Sequence, residues 1–196
     1  LAISEEAGNA PRIASHCLNL GVLHTKLCAW DRALQTLSRA LATFRETKNH
    51  AGIAKTYLAL GNLKVRLGQT TLAASHYEEA LDLARRHGYL REEVLALEFL
   101  GEMALRDERM AEAKKLLTEA LRKAEQIAPE GDLVCEVKHR LALEAMARGD
   151  LVTATRRASE AAWIAGRIGD RCELGGNLRL LGEAAWESGR SDVAIR

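Results

Sequence analysis

The sequence predicts an all-α fold of antiparallel helical hairpins stacked in a repeating array, and three observations predict it. The first is composition: Ala, Leu, Arg and Glu dominate, prolines number 2 and aromatics make up 4% of the chain. Those are good helix formers, whereas a sheet protein draws on Val, Ile, Tyr, Phe and Thr. The second is self-similarity. Leu20-Gly21, Leu60-Gly61, Leu100-Gly101, Leu141-Ala142 and Leu181-Gly182 follow one another at steps of 40, 40, 41 and 40 residues. The third is a register inside each step. Twelve residues past each Gly or Ala stand Ala33, Ala73, Ala113, Ala154 and Ala194, and seven further on Ala40, Ala80, Ala120 and Ala161, with Leu37, Tyr77, Leu117 and Ala158 between. Gly or Ala on one helix facing Ala on the next lets two helix axes approach closely, and the flanking leucines supply the apolar stripe.

The elements follow in order from these marks and from the breakers between them. First helices are predicted over 11–27, 51–67, 91–106, 133–148 and 173–188, and second helices over 31–47, 71–87, 110–127 and 151–168. Pro11 suits a first helical turn, where its missing N–H costs nothing. Within hairpins the breaks are Leu67-Gly68-Gln69, Arg148-Gly149-Asp150 and Ser188-Gly189-Arg190. Between hairpins they are Ala7-Gly8-Asn9, His87-Gly88, Pro129-Glu130-Gly131-Asp132 and Ile168-Gly169-Asp170. Gly past a helix end supplies a left-handed cap, and Asp or Asn after it starts the next helix. Residues 1–7 align with 41–47 and read as the tail of an earlier second helix, while 192–196 begin a further one. With no Met at the start and both ends inside a repeat, the chain reads as part of a longer protein.

Charge and composition exclude several classes. Lys and Arg total 28 against 27 Asp and Glu, so no global charge draws the chain to nucleic acid or to an anionic membrane. No apolar run approaches the roughly 18–20 residues of a membrane helix, and no signal-peptide pattern opens the chain. The cysteines, Cys17, Cys28, Cys135 and Cys172, form no Cys-x-x-Cys pair and are expected to be reduced thiols. His16, His24, His50, His76, His87 and His139 make no metal motif, with His24 at a core position and His76 beside Tyr77. There is no Gly-x-Ser-x-Gly elbow and no Gly-rich phosphate loop. Glu5-Glu6, Glu78-Glu79 and Glu92-Glu93 are adjacent pairs, which point apart on a helix and read as surface charges. The expectation is therefore no enzyme, no cofactor and no catalytic or metal-binding residue.

Leu-Gly followed by Ala, Tyr or Leu, and Ala on the second helix resembles the tetratricopeptide repeat, in a variant of about 40 residues rather than the usual 34. The resemblance covers essentially the whole chain and implies a right-handed superhelical solenoid. It partitions the chain into 1–13 as the tail of a preceding repeat and its turn, then repeats at 14–53, 54–93, 94–134 and 135–174, and a partial repeat at 175–196, in one continuous solenoid. A weaker resemblance, carried by the stretch from Ala124 through Pro129 to Val134 and by Gly169-Asp170-Arg171, is to the repeat regions of bacterial enhancer-binding transcription regulators.

The resemblance also implies a concave groove lined by first helices. Its candidate lining is Lys26 in the first repeat, Asn62, Val65 and Arg66 in the second, Glu102, Leu105 and Arg106 in the third, His139, Leu143 and Met146 in the fourth, and Arg179 and Trp186 in the fifth. Lys26, Arg66 and Arg106 recur at one register position as a basic rail, beside the apolar Val22, Val65, Leu105, Met146 and Trp186. Such a groove suits another protein or an extended peptide, with acidic groups. The family's carboxylate clamp needs Lys and Asn where this chain has Leu18 and Val22, so chaperone tails are not expected. Trp30 is expected to staple its own hairpin and Trp163 to pack on the fifth repeat. The functional expectation is a cytoplasmic protein-binding scaffold, a regulatory or sensory part of a larger bacterial signalling or transcription-regulator protein, with no direct contact to nucleic acid or membrane. The alternative is self-association through exposed repeat ends into a homo-oligomer.

Overall fold

The computed structural model describes residues 10–189, and every regular element among them is an α-helix. In order they are α1 (Ala10–Lys26), α2 (Trp30–Glu46), α3 (His50–Arg66), α4 (Thr70–His87), α5 (Leu90–Arg106), α6 (Met110–Ile127), α7 (Asp132–Ala147), α8 (Leu151–Ile168) and α9 (Arg171–Glu187). Their bounds fall within a residue or two of the sequence expectation. The predicted helix tails at 1–7 and 192–196, and Ala194, lie outside the described residues. The chain divides into two compact units, Leu1–Ala96 and Leu97–Arg196, with the division inside α5.

In the first unit α1 pairs with α2 and α3 with α4, while α2 packs on α3 and α1 lies beside α3. The register residues do the packing: Ala33, Leu37, Ala40, Ala73, Tyr77 and Ala80 are buried. A Cβ on Gly21 would sit 2.5 Å from the Leu37 side chain, and one on Gly61 2.2 Å from the Tyr77 ring. Close approach is thus to the large residue between the two alanines rather than to the alanines themselves. Trp30 packs on a cluster drawn from α2 (Ala33, Leu37) and α3 (Ala59, Leu60, Leu63), as does Leu18 of α1.

In the second unit α7 pairs with α8, α8 packs on α9, α6 on α7, and α7 lies beside α9. A Cβ on Gly101 would meet Leu117 of α6 at 2.7 Å. Ala113, Leu117, Ala120, Ala154, Ala158 and Ala161 are buried. Trp163 departs from expectation. It is 54% exposed, with the Arg167 guanidinium 4.8 Å above its ring, because its helical position turns it to the outer surface near Pro129 and Glu130.

Turns use one device. A residue with positive φ follows every described helix except α6, at Cys28, Lys48, Gly68, Gly88, Glu108, Gly149, Gly169 and Gly189. After α1, α2, α3, α4, α5, α7 and α8 the next amide closes back onto a carbonyl five residues earlier, as in Ala29 N–H to His24 O at 2.9 Å. The turn after α6 differs: Ala128 is extended, as the residue before Pro129 must be, and the 41-residue step falls there.

Candidate functional site

The first helices carry the candidate residues: one group stands on α1 and α3 in the first unit and another on α5, α7 and α9 in the second, and each is described by itself. In the first unit Lys26 and Arg66 each stand at the last residue of their helix, exposed, and neither has an ion-pair partner among the described residues. Asn62 is half-buried and its Oδ1 accepts a 2.7 Å hydrogen bond from the Tyr77 hydroxyl, which fixes it to its own hairpin. Val65 is half-buried and Val22 is 37% exposed.

The same unit overturns one expectation about carboxylates. Glu92 and Glu93 are buried rather than solvated, because each finds a cation from a neighbouring helix: Lys55 Nζ lies 3.7 Å from Glu92 and Arg85 Nε 3.1 Å from Glu93. Adjacent helix positions do point apart, but here both directions lead into packed neighbours. Of the described cysteines, Cys17 and Cys135 are buried and Cys28 and Cys172 exposed.

The second unit is organised around acids. Arg106 donates to Glu102 at 2.6 Å, and Arg140 of α7 reaches Glu102 at 3.3 Å and Glu98 at 3.8 Å. Glu98 is 1% exposed. Burial first, and then the neighbouring Glu136 charge, push its carboxyl up to about 8. Arg140 opposes that shift, and Glu102 and Glu173 add to it. His139 is buried, its Nδ1–H donating to Asn177 Oδ1 of α9 at 3.0 Å. Leu143 and Met146 pack on the cluster of Ala142, Ala145, Ala154, Ala158 and Leu180. Leu105 is half-buried, whereas Arg179 and Trp186 are exposed, Trp186 by 65%.

Several of these groups were not singled out by spacing alone. Arg140, Glu173 and Asn177 each contact or face a residue of the preceding first helix; Glu102 to Arg140 and His139 to Asn177 are both 38 residues apart. A search for complementary polar residues two short of the repeat length finds both pairs. Among the described residues no group of three His, Cys, Asp or Glu side chains could hold a metal ion, and no helix is long and apolar enough to cross a membrane.

Residues 12–86 match the tetratricopeptide repeat family model. That segment is built of tetratricopeptide repeats. Solved structures carry the likeness beyond the matched segment. BtubC (BKLC) from P. vanneervenii is 18% identical over 100% of this chain and 87% of its own, with a TM-score of 0.77. Aspartyl phosphate phosphatase F from Bacillus subtilis is 14% identical over 95% of this chain and 48% of its own, with a TM-score of 0.81. A putative kinesin light chain of Podosopora anserina with nearly identical TPR-like repeats is 16% identical over 95% and 92%, with a TM-score of 0.70. At these identities the likeness is one of fold, the tetratricopeptide solenoid. No curated protein sequence matches. Tetratricopeptide repeats generally mediate protein–protein interaction, and the fold is generally a non-enzymatic scaffold.

Proposed function

We propose that this chain binds an extended or helical peptide segment of another protein along its first helices, as the regulatory or sensory repeat region of a larger cytoplasmic bacterial signalling or transcription-regulating protein. The observation that supports the binding role most is the pair Lys26 and Arg66. They occupy the same register on the adjacent helices α1 and α3, exposed and without ion-pair partners among the described residues. Two uncompensated cations beside half-buried Val65 offer a carboxylate-bearing, partly apolar segment both charge and contact area. Arg106, the third residue of the rail, spends part of its charge on Glu102. The remaining groove candidates, Asn62, Glu102, Leu105, His139, Leu143, Met146, Arg179 and Trp186, shape the surface for this segment.

The test is fluorescence anisotropy with a labelled pool of peptides carrying Asp or Glu beside Leu. Binding is expected to weaken with salt, and Lys26→Glu/Arg66→Glu/Arg106→Glu is expected to lower affinity at least ~10-fold while far-UV circular dichroism stays unchanged. Equal affinity in the variant overturns the groove. A second reading, self-association, is favoured by Leu178 and Trp186 on α9, which are 55% and 65% exposed. Light scattering on Trp186→Ala decides it: a mass equal to that of the unaltered chain at every concentration removes this reading.

A further inference from the structure

We propose that the cleft formed by α7, α8 and the turn before α7 docks an extended, proline-containing acidic segment of another protein. None of the first-helix groove candidates lines this cleft, so it is a second surface, separate from the one argued above.

Three residues that depart from the repeat register converge there. Trp163 is the first. Its register place holds Ala42, Asp82 and Arg122 in the earlier repeats, all exposed, so packing asks for no ring at that position. Pro129 is the second. Its turn alone, among those after the described helices, lacks a positive-φ residue, and it leaves Pro129 and Glu130 exposed. Lys138 is the third. Its register place holds Cys17, Tyr57 and Leu97, buried or half-buried, yet here it carries an ammonium whose Nζ lies 2.6 Å from Glu160. With Ile164, Glu130 and Glu160 they line an open cleft of about 510 Å³, within the roughly 300–1,000 Å³ of ligand clefts.

The aromatic wall is held in place before any partner arrives. The Arg167 guanidinium lies 4.8 Å from the centroid of the Trp163 ring, and Glu130 pairs with Arg167 in turn. An exposed indole pinned in this way costs little ordering entropy on binding.

Charge selects the sign of the partner. Glu160 is shared by Lys138, by Arg156 at 3.0 Å and by Arg157 at 3.8 Å, and none of these cations has another carboxylate in ion-pair reach among the described residues. One carboxylate cannot neutralise them all, so this wall stays positive and a carboxylate of the partner complements it. Backbone chemistry selects the partner's form. The walls are helices, whose N–H and C=O groups are bonded along their own axes, so they offer no edge for an added strand. A polyproline-type segment needs none. Its backbone stays solvated, and such segments dock against aromatic-lined grooves.

Fluorine NMR of the whole chain labelled with fluorotryptophan tests this, since Trp30, Trp163 and Trp186 report separately and Trp163→Phe assigns the signal. The probe is a pool of acetylated octapeptides alternating Pro with Asp or Glu. It is expected to shift the Trp163 signal and leave that of Trp30, with affinity falling as salt rises. Lys138→Met/Arg156→Glu is expected to lower that affinity about tenfold with unchanged circular dichroism. An unmoved Trp163 signal overturns the docking surface, as does equal affinity in the double variant. A matched pool with Lys in place of the acids that binds as well overturns the charge assignment, and one with Ala in place of Pro overturns the proline assignment. A Trp163 signal that moves with chain concentration alone puts a second copy in the cleft and overturns the proposal. The Trp163 shift is expected to persist in Lys26→Glu/Arg66→Glu/Arg106→Glu, so failure of the first-helix groove leaves this surface standing; its loss there overturns the separate surface.

Discussion

A methyl group added at Gly61 would lie 2.2 Å from the Tyr77 ring, whose hydroxyl is tied to Asn62 at 2.7 Å. Neither the ring nor the helix backbone can yield without breaking that bond or parting α3 from α4. Gly61→Ala is therefore expected to cost about 1–3 kcal/mol in urea unfolding. Gly166 is the control. It is helical with nothing within 4 Å of an added Cβ, so Gly166→Ala is expected to stabilise by roughly 0.5–1 kcal/mol. A loss at Gly166 as large as at Gly61 would show that helix propensity rather than close approach rules both sites. The sequence reveals the Gly61 class through its 40-residue recurrence, though it does not reveal that Tyr77 rather than Ala73 fills the space. Glu98 escapes such reading altogether. Nothing in its spacing distinguishes it from half-buried Glu102, since burial of one groove residue and not the next depends on how neighbouring helices pack on α5.

Among elements, α9 is held at its start by a single side chain. Asp170 Oδ1 accepts from the N–H groups of Cys172 and Glu173, both at 3.0 Å. Asp170→Ala is expected to cost about 1 kcal/mol, and hydrogen exchange should show it as faster opening confined to the first turn of α9. Uniform acceleration across the second unit would contradict the local role. Helix boundaries were legible because Gly68, Gly149 and Gly169 mark left-handed exits and Asn49, Asp150 and Asp170 mark entries. The exits at Cys28, Lys48 and Glu108 gave no such signal. Each is an ordinary L-residue forced to positive φ by the same five-residue closure that glycine makes cheaply elsewhere.

For the whole molecule, the buried acid sets the response to pH. Glu98 has a carboxyl raised from 4.5 to about 8 in the fold, so the folded chain holds a proton that the unfolded chain has lost. Stability is fully present below about 4.5 and falls as pH climbs towards 8, by at most ~1.4 kcal/mol per pH unit. Asp150 acts the other way, since Thr153 holds its carboxyl below the usual range, and its contribution fades only as acid protonates it. The two windows are separate. Thermal unfolding is expected to give a lower midpoint at pH 8 than at pH 5, with the difference largely absent in Glu98→Leu, which is also expected to be the more stable protein at pH 8. Midpoints that fall in parallel for both chains would assign the effect to other groups. The left-handed exits carry a consequence of another kind. They recur at 28, 48, 68, 88 and 108, and again at 149, 169 and 189, so the backbone counts in twenties although the side chains count in forties. Splicing in or deleting a stretch at any of these exits keeps the local geometry intact. An odd number of helices, however, would swap the glycine-bearing and alanine-bearing roles of everything downstream. Growth of such a chain by duplication is thereby restricted to pairs, a parity rule imposed by packing on a backbone that does not itself observe it.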